Sequence, residues 1–90
     1  GVVNERTARE MAEGAARVCG ADVAVAVTGT AGPLGQDGVA PGTVWVGART
    51  PDGTRTHRLA LDGDRARIRE ETVRRALRLT VEALSQRPAP

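Results

Sequence analysis

The sequence predicts an α/β fold: a three-stranded partial sheet with helices packed on it, in the order helix, strand, hairpin, helix. Two segments with a helical repeat of apolar residues enclose three short segments with strand-like patterns. One of those strands is apolar on both sides, which is typical of a strand covered on both faces. Because three strands and two helices make only an incomplete α/β/α layer, we expect residues 1–90 to be one partial domain, with residues 87–90 as a tail.

The first helix is predicted from Asn4 to Cys19. Asn4 is a suitable N-cap, because its side chain can accept a hydrogen bond from a free N–H of the first turn. Gly20 ends the helix, since glycine takes the left-handed conformation after a helix without strain. The apolar residues recur at helical spacing and predict the buried stripe: Ala8, Met11, Ala12, Ala15 and Cys19.

The first strand is predicted from Ala21 to Thr28. Its valines alternate with alanines, so both faces are apolar, and we expect a central strand with room for a further strand at its free edge. Two more strands, Thr43–Arg49 and Thr54–Leu61, flank a turn with Pro51 at its second position and are predicted to form a hairpin.

The last helix is predicted to start after residues 62–64, with Asp62 or Asp64 as its cap. Its apolar residues recur at helical spacing and predict a second buried stripe: Val73, Ala76, Leu77, Thr80 and Leu84.

Composition excludes several function classes. All 13 basic residues are Arg, and 11 acidic residues leave a net charge of only +2. Nucleic-acid modules combine clustered positive charge with aromatic side chains, and Trp45 is the one aromatic residue here, so we expect no nucleic-acid partner. A Walker A loop needs a Lys, and the chain has none.

The residue composition also predicts where the protein is located and whether it binds a cofactor. The longest apolar stretch, Val23 to Val27, is about a quarter of a membrane helix, and no signal peptide is recognisable. A single cysteine forms no disulfide within the chain, so we expect a cytoplasmic protein without membrane contact. His57 has no second His or Cys ligand nearby in the sequence, so neither a metal nor a cofactor is predicted.

The glycine-rich loop from Thr28 to Gly42 is the most informative segment for function. It follows a buried strand, and ligands bind α/β sheets at the carboxyl ends of such strands. The alternative is that its glycines and prolines only turn the chain.

Three arginines at the start of the last helix form a candidate anion site: Arg65, Arg67 and Arg69. A guanidinium can donate two hydrogen bonds to one phosphate, and a helix N-terminus also favours an anion. The alternative is a solvated basic face.

Five motifs in order resemble the CinA C-terminal domain family. They are Asn4-Glu5-Arg6-Thr7-Ala8-Arg9-Glu10-Met11-Ala12-Glu13-Gly14-Ala15, Gly20-Ala21-Asp22, Val27-Thr28-Gly29-Thr30-Ala31-Gly32-Pro33, Gly42-Thr43-Val44-Trp45, and Gly63-Asp64-Arg65 with Ile68-Arg69. The resemblance implies a nicotinamide-nucleotide amidohydrolase, which converts nicotinamide mononucleotide to nicotinate mononucleotide and ammonia. Some members are fused to a domain that resembles molybdopterin-binding proteins.

The resemblance also implies site residues. Thr28 is the catalytic candidate, Gly29, Ala31 and Gly32 line the substrate site, and Arg65 and Arg69 contact the phosphate or the carboxamide side. The sequence departs from the family pattern at Thr30, where Ile is usual, and in the loop that reads Val39-Ala40-Pro41-Gly42, which is shorter than the usual loop with Lys-Pro-Val-Gly.

The family domain is about twice this length, and its first half carries a Ser-Cys-Thr-Gly-Gly motif with the nucleophilic serine, then a segment with Tyr and Lys. This sequence contains none of these, begins Gly-Val-Val, and has its one Met at position 11. We therefore expect the second half of such an enzyme, inactive alone, with the missing half or another subunit as partner. The alternative is a non-catalytic nucleotide-binding or oligomerisation module, with a homo-oligomer among its forms; an anion- or nucleic-acid-binding helix face is a third hypothesis.

Overall fold

The computed structural model describes residues 3–29 and 41–85. The elements in chain order are α1 (Glu5–Cys19), β1 (Ala24–Gly29), β2 (Thr43–Thr50), β3 (Gly53–Ala60) and α2 (Arg65–Ser85). The predicted order of elements and the α/β class are confirmed. The largest difference in bounds is at β1, which begins at Ala24 rather than Ala21.

The helix ends follow the predicted capping chemistry. The Asn4 carboxamide oxygen accepts a hydrogen bond from the backbone N–H of Thr7 at 2.8 Å, and Gly20 closes α1 with φ of 64°. At the start of α2, a carboxylate oxygen of Asp64 accepts from the backbone N–H of Arg67 at 2.9 Å. Asp64 is therefore the residue that caps α2.

The sheet has the order β1-β2-β3 with both pairs antiparallel, so β2 is the central strand. Within the described part of the chain β1 lies at the sheet edge, so the predicted free edge is present, but the prediction that β1 is covered on both faces is wrong there. Its alanine side is half-buried, but its valine side is exposed, with Val25 41% and Val27 42% accessible. An apolar pattern on both faces of a strand indicates that both faces are buried, but it does not indicate which element packs on each face.

Residues directly opposite each other in the sheet share a face, so the register assigns two faces. We call the α1 face the side that carries Ala24 and Ala26 of β1 and Gly47 of β2. Here α1 lies very close to the sheet, since a Cβ on Gly47 would collide with the carbonyl oxygen of Ala8. The contact therefore requires small residues on both elements.

The buried stripe of α1 differs from the predicted one. It consists of Ala8, Ala12 and Ala16, while Met11 is 45% exposed and Cys19 is exposed. Because the helix axis approaches Gly47 so closely, the alanine row rather than the larger side chains faces the sheet.

We call the α2 face the opposite side, which carries Val25, Val27, Val44 and Val46. Val46 is fully buried there, and the core cluster around it comprises Val44, Val46, Leu59, Ile68 and Ala76, with Leu61 and Leu79 packed against it. The two helices therefore enclose β2 and part of β3 in an incomplete α/β/α layer, as predicted.

The buried stripe of α2 also differs from the prediction. Ile68, Thr72, Ala76 and Ala83 are buried, whereas Val73 and Leu77 are more than half exposed. The helix carries two adjacent apolar rows, and the row that begins at Ile68 is the one that meets β2 and β3. The other row points away from this core.

Gly42 fixes the start of β2. Its φ is 83°, and a Cβ there would collide with the carbonyl oxygen of Leu61, so glycine is required on both counts. The Gly42 carbonyl accepts a hydrogen bond from the Leu61 N–H at 2.9 Å, which joins the entry of β2 to the exit of β3. Neither described helix is long and apolar enough to span a membrane.

Candidate functional site

A groove of about 250 Å³ opens where β1 ends against the first turns of α2. It lies at the carboxyl end of β1, where the sequence predicted a ligand site, but the rule behind that prediction applies to parallel strands and both strand pairs here are antiparallel. Three adjacent residues of β1, one of β2 and four of α2 line it: Val27, Thr28, Gly29, Val44, Ile68, Arg69, Thr72 and Val73. The lining is mostly apolar.

Glycine is needed at position 29 because the strands pack closely at the base of the groove. A Cβ on Gly29 would lie 2.8 Å from a methyl carbon of Val44 and 3.0 Å from the carbonyl oxygen of Thr43. A larger residue would push into this space. Val44 and Ile68 are both buried, so the floor of the groove is a rigid part of the core.

Arg69 is the charged side chain among the described residues that line the groove. It is exposed on α2, one residue after the buried Ile68, so its guanidinium lies at the rim while its neighbour forms the floor. The Thr72 hydroxyl donates to the Ile68 carbonyl at 2.6 Å, which leaves its oxygen able to accept. Apolar walls with one cation at the rim suit a flat ring whose anionic substituent reaches the rim.

The other arginines at the start of α2 are placed differently. Arg65 is exposed and precedes Arg69 by one helical turn, but it does not line the groove. The stem of Arg67 lies against Gly63, where an added Cβ would come within 2.6 Å of it. The Asp64 carboxylate accepts from the N–H of Arg67, so this N–H of the first turn is already paired.

Thr28 is part of the groove lining, but the register sets it opposite Trp45, on the α1 face with Ala24 and Ala26. Its neighbours Val27 and Gly29 lie on the α2 face with Arg69's helix. The groove geometry therefore gives no support of its own to a catalytic role for Thr28, and that role stays a prediction. Ala31 and Gly32 lie outside the described residues.

Several groove residues were missed from the sequence: Val27, Val44, Ile68, Thr72 and Val73. The buried Val44 and Ile68 belong to two motifs that carried the family resemblance, Gly42-Thr43-Val44-Trp45 and Ile68-Arg69. Their place in these motifs could have identified them as site residues. Val73 was assigned to the core stripe, because periodicity does not distinguish an apolar groove wall from a packed core.

A second, larger and polar hollow of about 700 Å³ lies on the α1 face, beside the β2–β3 turn. Its lining includes Glu13 and Arg17 of α1 and Arg49 and Asp52 around the turn. Glu13 accepts a hydrogen bond from the Thr54 hydroxyl at 2.7 Å, and Arg9 donates to the Thr54 carbonyl at 3.0 Å. These contacts tie α1 to the hairpin, and the equal numbers of acidic and basic groups attract neither sign of charge.

Neither the serine nor the cysteine of the sequence lines the groove, where the hydroxyl groups of the described residues belong to Thr28 and Thr72. Ser85, the only serine in the sequence, ends α2 and donates to the Val81 carbonyl at 2.8 Å. It follows Arg69 by a helical rise of about 24 Å at 1.5 Å per residue. Within residues 3–29 and 41–85, no cluster of His, Cys, Asp or Glu is arranged to hold a metal ion.

Fold and groove together define a class: a partial α/β/α layer with an apolar, Arg-rimmed groove at the end of a strand. The model of the CinA C-terminal domain family matches residues 1–84. The chain belongs to that family.

Known relatives agree with this assignment. The chain is 49% identical to a "CinA-like protein" of Mycobacterium sp. (strain JLS), with 93% of this chain and 20% of the relative covered. It is 43% identical to a "CinA-like protein" of Frankia casuarinae, with 98% of this chain and 20% of the relative covered. The chain therefore spans about a fifth of the length of these curated relatives.

Solved structures show the same fold. The competence damage-inducible protein A (ComA) of Klebsiella pneumoniae matches with a TM-score of 0.91 and 36% identity, covering 97% of this chain and 55% of that one. The competence/damage inducible protein CihA of Agrobacterium tumefaciens matches with a TM-score of 0.83 and 39% identity, covering 96% and 53%. The chain thus spans about half the length of these solved chains.

Proposed function

We propose that this chain is the nucleotide-binding half of a nicotinamide-nucleotide amidohydrolase and is inactive alone. The substrate is nicotinamide mononucleotide. The flat face of its pyridinium ring lies against the apolar floor formed by Val44 and Ile68, and its phosphate pairs with Arg69. The observation that carries the proposal is the groove at the end of β1, apolar inside and rimmed by one guanidinium. Membership of the CinA C-terminal domain family supports the substrate class.

The reaction is the hydrolysis of a carboxamide. The carbonyl carbon gains an oxygen from water, the carbon–nitrogen bond breaks, and the nitrogen leaves as ammonia with protons that water supplies. An acyl intermediate requires an activated nucleophile, and the loss of that group costs an enzyme several orders of magnitude in rate. We assign the nucleophile to the segment that carries the Ser-Cys-Thr-Gly-Gly motif in the family, because Ser85 lies far from the groove. This chain would hold and orient the nucleotide.

The test is ammonia release from nicotinamide mononucleotide. The chain alone is expected to release none above background. Mixed with a separately produced segment that carries the Ser-Cys-Thr-Gly-Gly motif, it is expected to release ammonia, and Arg69→Ala is expected to raise KM more than it lowers kcat. Arg78→Ala, on the exposed surface of α2 away from the groove, is the matched control. Turnover by the 90-residue chain alone would contradict the proposed division of roles.

A second candidate is a non-catalytic module that binds the nucleotide or mediates assembly. The row of exposed apolar side chains on α2, which includes Val73 and Leu77, favours this alternative. One result distinguishes the amidohydrolase half from a non-catalytic module. The module binds the nucleotide or a partner, but it releases no ammonia with any added segment.

A further inference from the structure

The groove at the end of β1 has two polar side chains on α2, and they differ in the hydrogen bonds they can make. Arg69 and Thr72 both line the groove and are neighbours on the helix surface, three residues apart. A guanidinium only donates hydrogen bonds, so Arg69 suits an anionic group. A hydroxyl can donate and accept, so the partner that Thr72 suits depends on where its proton lies.

The Thr72 hydroxyl is already committed as a donor inside α2. It donates to the backbone carbonyl of Ile68, with 2.6 Å between the two oxygens. Two oxygens at this distance need the proton between them, because turning the proton to a ligand would leave their lone pairs in contact. The side chain has little freedom to turn away, since Thr72 is β-branched and only 8% exposed.

The oxygen of Thr72 therefore meets a ligand as an acceptor. Its bond to Ile68 draws it toward the turn of α2 that supplies the floor and the rim of the groove. A carboxamide N–H₂ group can donate to such an oxygen. An ionised carboxylate has no hydrogen to donate, and its negative charge would face a lone pair.

The substrate and the product of the proposed reaction differ at this group. Nicotinamide mononucleotide carries a carboxamide, and nicotinate mononucleotide carries a carboxylate on the same ring, ribose and phosphate. Arg69 attracts both nucleotides through the shared phosphate, so it does not distinguish them. Discrimination between the two requires a group that responds to the carboxamide itself.

We propose that Thr72 is a specificity-determining residue of the groove. Its hydroxyl oxygen accepts a hydrogen bond from the carboxamide N–H₂ of nicotinamide mononucleotide and disfavours the carboxylate of nicotinate mononucleotide. The groove thereby holds the substrate and releases the product. Because the ligand is the one assigned under the proposed function, this role of Thr72 rests on that assignment.

The experiment is a calorimetric titration of the full 90-residue chain with three nucleotides. They are nicotinamide mononucleotide, nicotinate mononucleotide and 3-acetylpyridine mononucleotide, in which a methyl group replaces the N–H₂ without adding charge. The chain is expected to bind the amide about tenfold more tightly than the acid and about fivefold more tightly than the acetyl compound, because a site that accepts a hydrogen bond rejects a ligand without the donor.

Two variants of Thr72 separate the hydroxyl from the side-chain shape. Thr72→Val keeps the branched shape without the hydroxyl, and it is expected to bind the amide and acetyl compounds within about twofold of each other. Thr72→Ser keeps the hydroxyl and is expected to retain the preference for the amide. Circular dichroism checks that both variants fold, and the three titrations of the unchanged chain test the preference without any variant.

Thr80→Val is the matched control. The Thr80 hydroxyl donates to the Ala76 carbonyl at 2.8 Å in the same way, about two turns further along α2 and outside the groove lining. Its loss is expected to leave the preference for the amide unchanged.

Two results would overturn the role of Thr72 and leave the nucleotide site standing: equal affinity of the unchanged chain for the amide and acetyl compounds, or the same preference in folded Thr72→Val and Thr80→Val. No binding of nicotinamide mononucleotide would overturn this role and the proposed function together.

Discussion

The two faces of the sheet are closed to different extents by the two helices. On the α1 face, small residues meet small residues, with Ala8 and Ala12 over Gly47, and the helix contacts all three strands. On the α2 face, the helix covers mainly β2 and leaves the valines of β1 exposed. The α1 face is closed along all three strands, whereas the α2 face combines the core cluster around Val46 with the groove and the exposed valines of β1. The groove therefore lies where the core meets a partly uncovered edge strand.

The largest change in the free energy of unfolding is expected where α1 contacts the sheet. Gly47→Ala should lower the free energy of unfolding by about 3 kcal/mol, because the new methyl group meets the Ala8 backbone, which has no room to yield. Gly14→Ala is the control: its Cβ has ordinary space in the middle of α1, and it should raise stability by about 0.5–1 kcal/mol. Urea unfolding measures both. Equal signs for the two variants would contradict the close packing of the α1 face.

The next largest change is expected from truncating one of two cross-strand valines on the α2 face, which should differ in how much stability they contribute. Val46 and Val27 are register partners, but Val46 is fully buried and Val27 is exposed. Val46→Ala should cost about 2 kcal/mol through lost burial and a cavity, and Val27→Ala should cost well under about 1 kcal/mol. Thermal or urea unfolding of the two variants gives the comparison. Similar losses would mean that β1 is covered in solution.

A smaller effect is expected at the centre of the exposed valine row. Val25→Thr should change the stability of the isolated chain by less than about 0.5 kcal/mol, because the side chain is already partly in water. It should also reduce the fluorescence of a bound apolar dye such as ANS. A loss of more than about 2 kcal/mol would place Val25 in a buried core instead.

Local signals predicted most of the fold. Asn4, Gly20 and the turn at Pro51 act through their immediate neighbours, so sequence alone located both helices and the hairpin. The position of β1 was not predictable, because a Val/Ala strand has the same pattern in the centre of a sheet and at an edge that another polypeptide covers. For the same reason, Val73 and Leu77 were predicted to be core residues.

The candidate site was predicted in part. The family resemblance implied Thr28, Gly29 and Arg69 as site residues, and all three line the groove, while their roles there stay predictions. The apolar floor at Val44 and Ile68 requires β2 and α2 to come together, which no local pattern encodes. The polar hollow beside the β2–β3 turn was missed for the same reason.

The most direct test of the nucleotide site is a calorimetric titration of the chain with nicotinamide mononucleotide and with nicotinamide riboside, which lacks the phosphate. The mononucleotide is expected to bind more tightly than the riboside, and Arg69→Ala is expected to weaken mononucleotide binding by about tenfold, the value of one charge-assisted hydrogen bond of about 1.5 kcal/mol. No change is expected for Arg78→Ala. Equal affinity for the two ligands, or equal losses for the two arginine variants, would contradict the assignment of the groove as a nucleotide site.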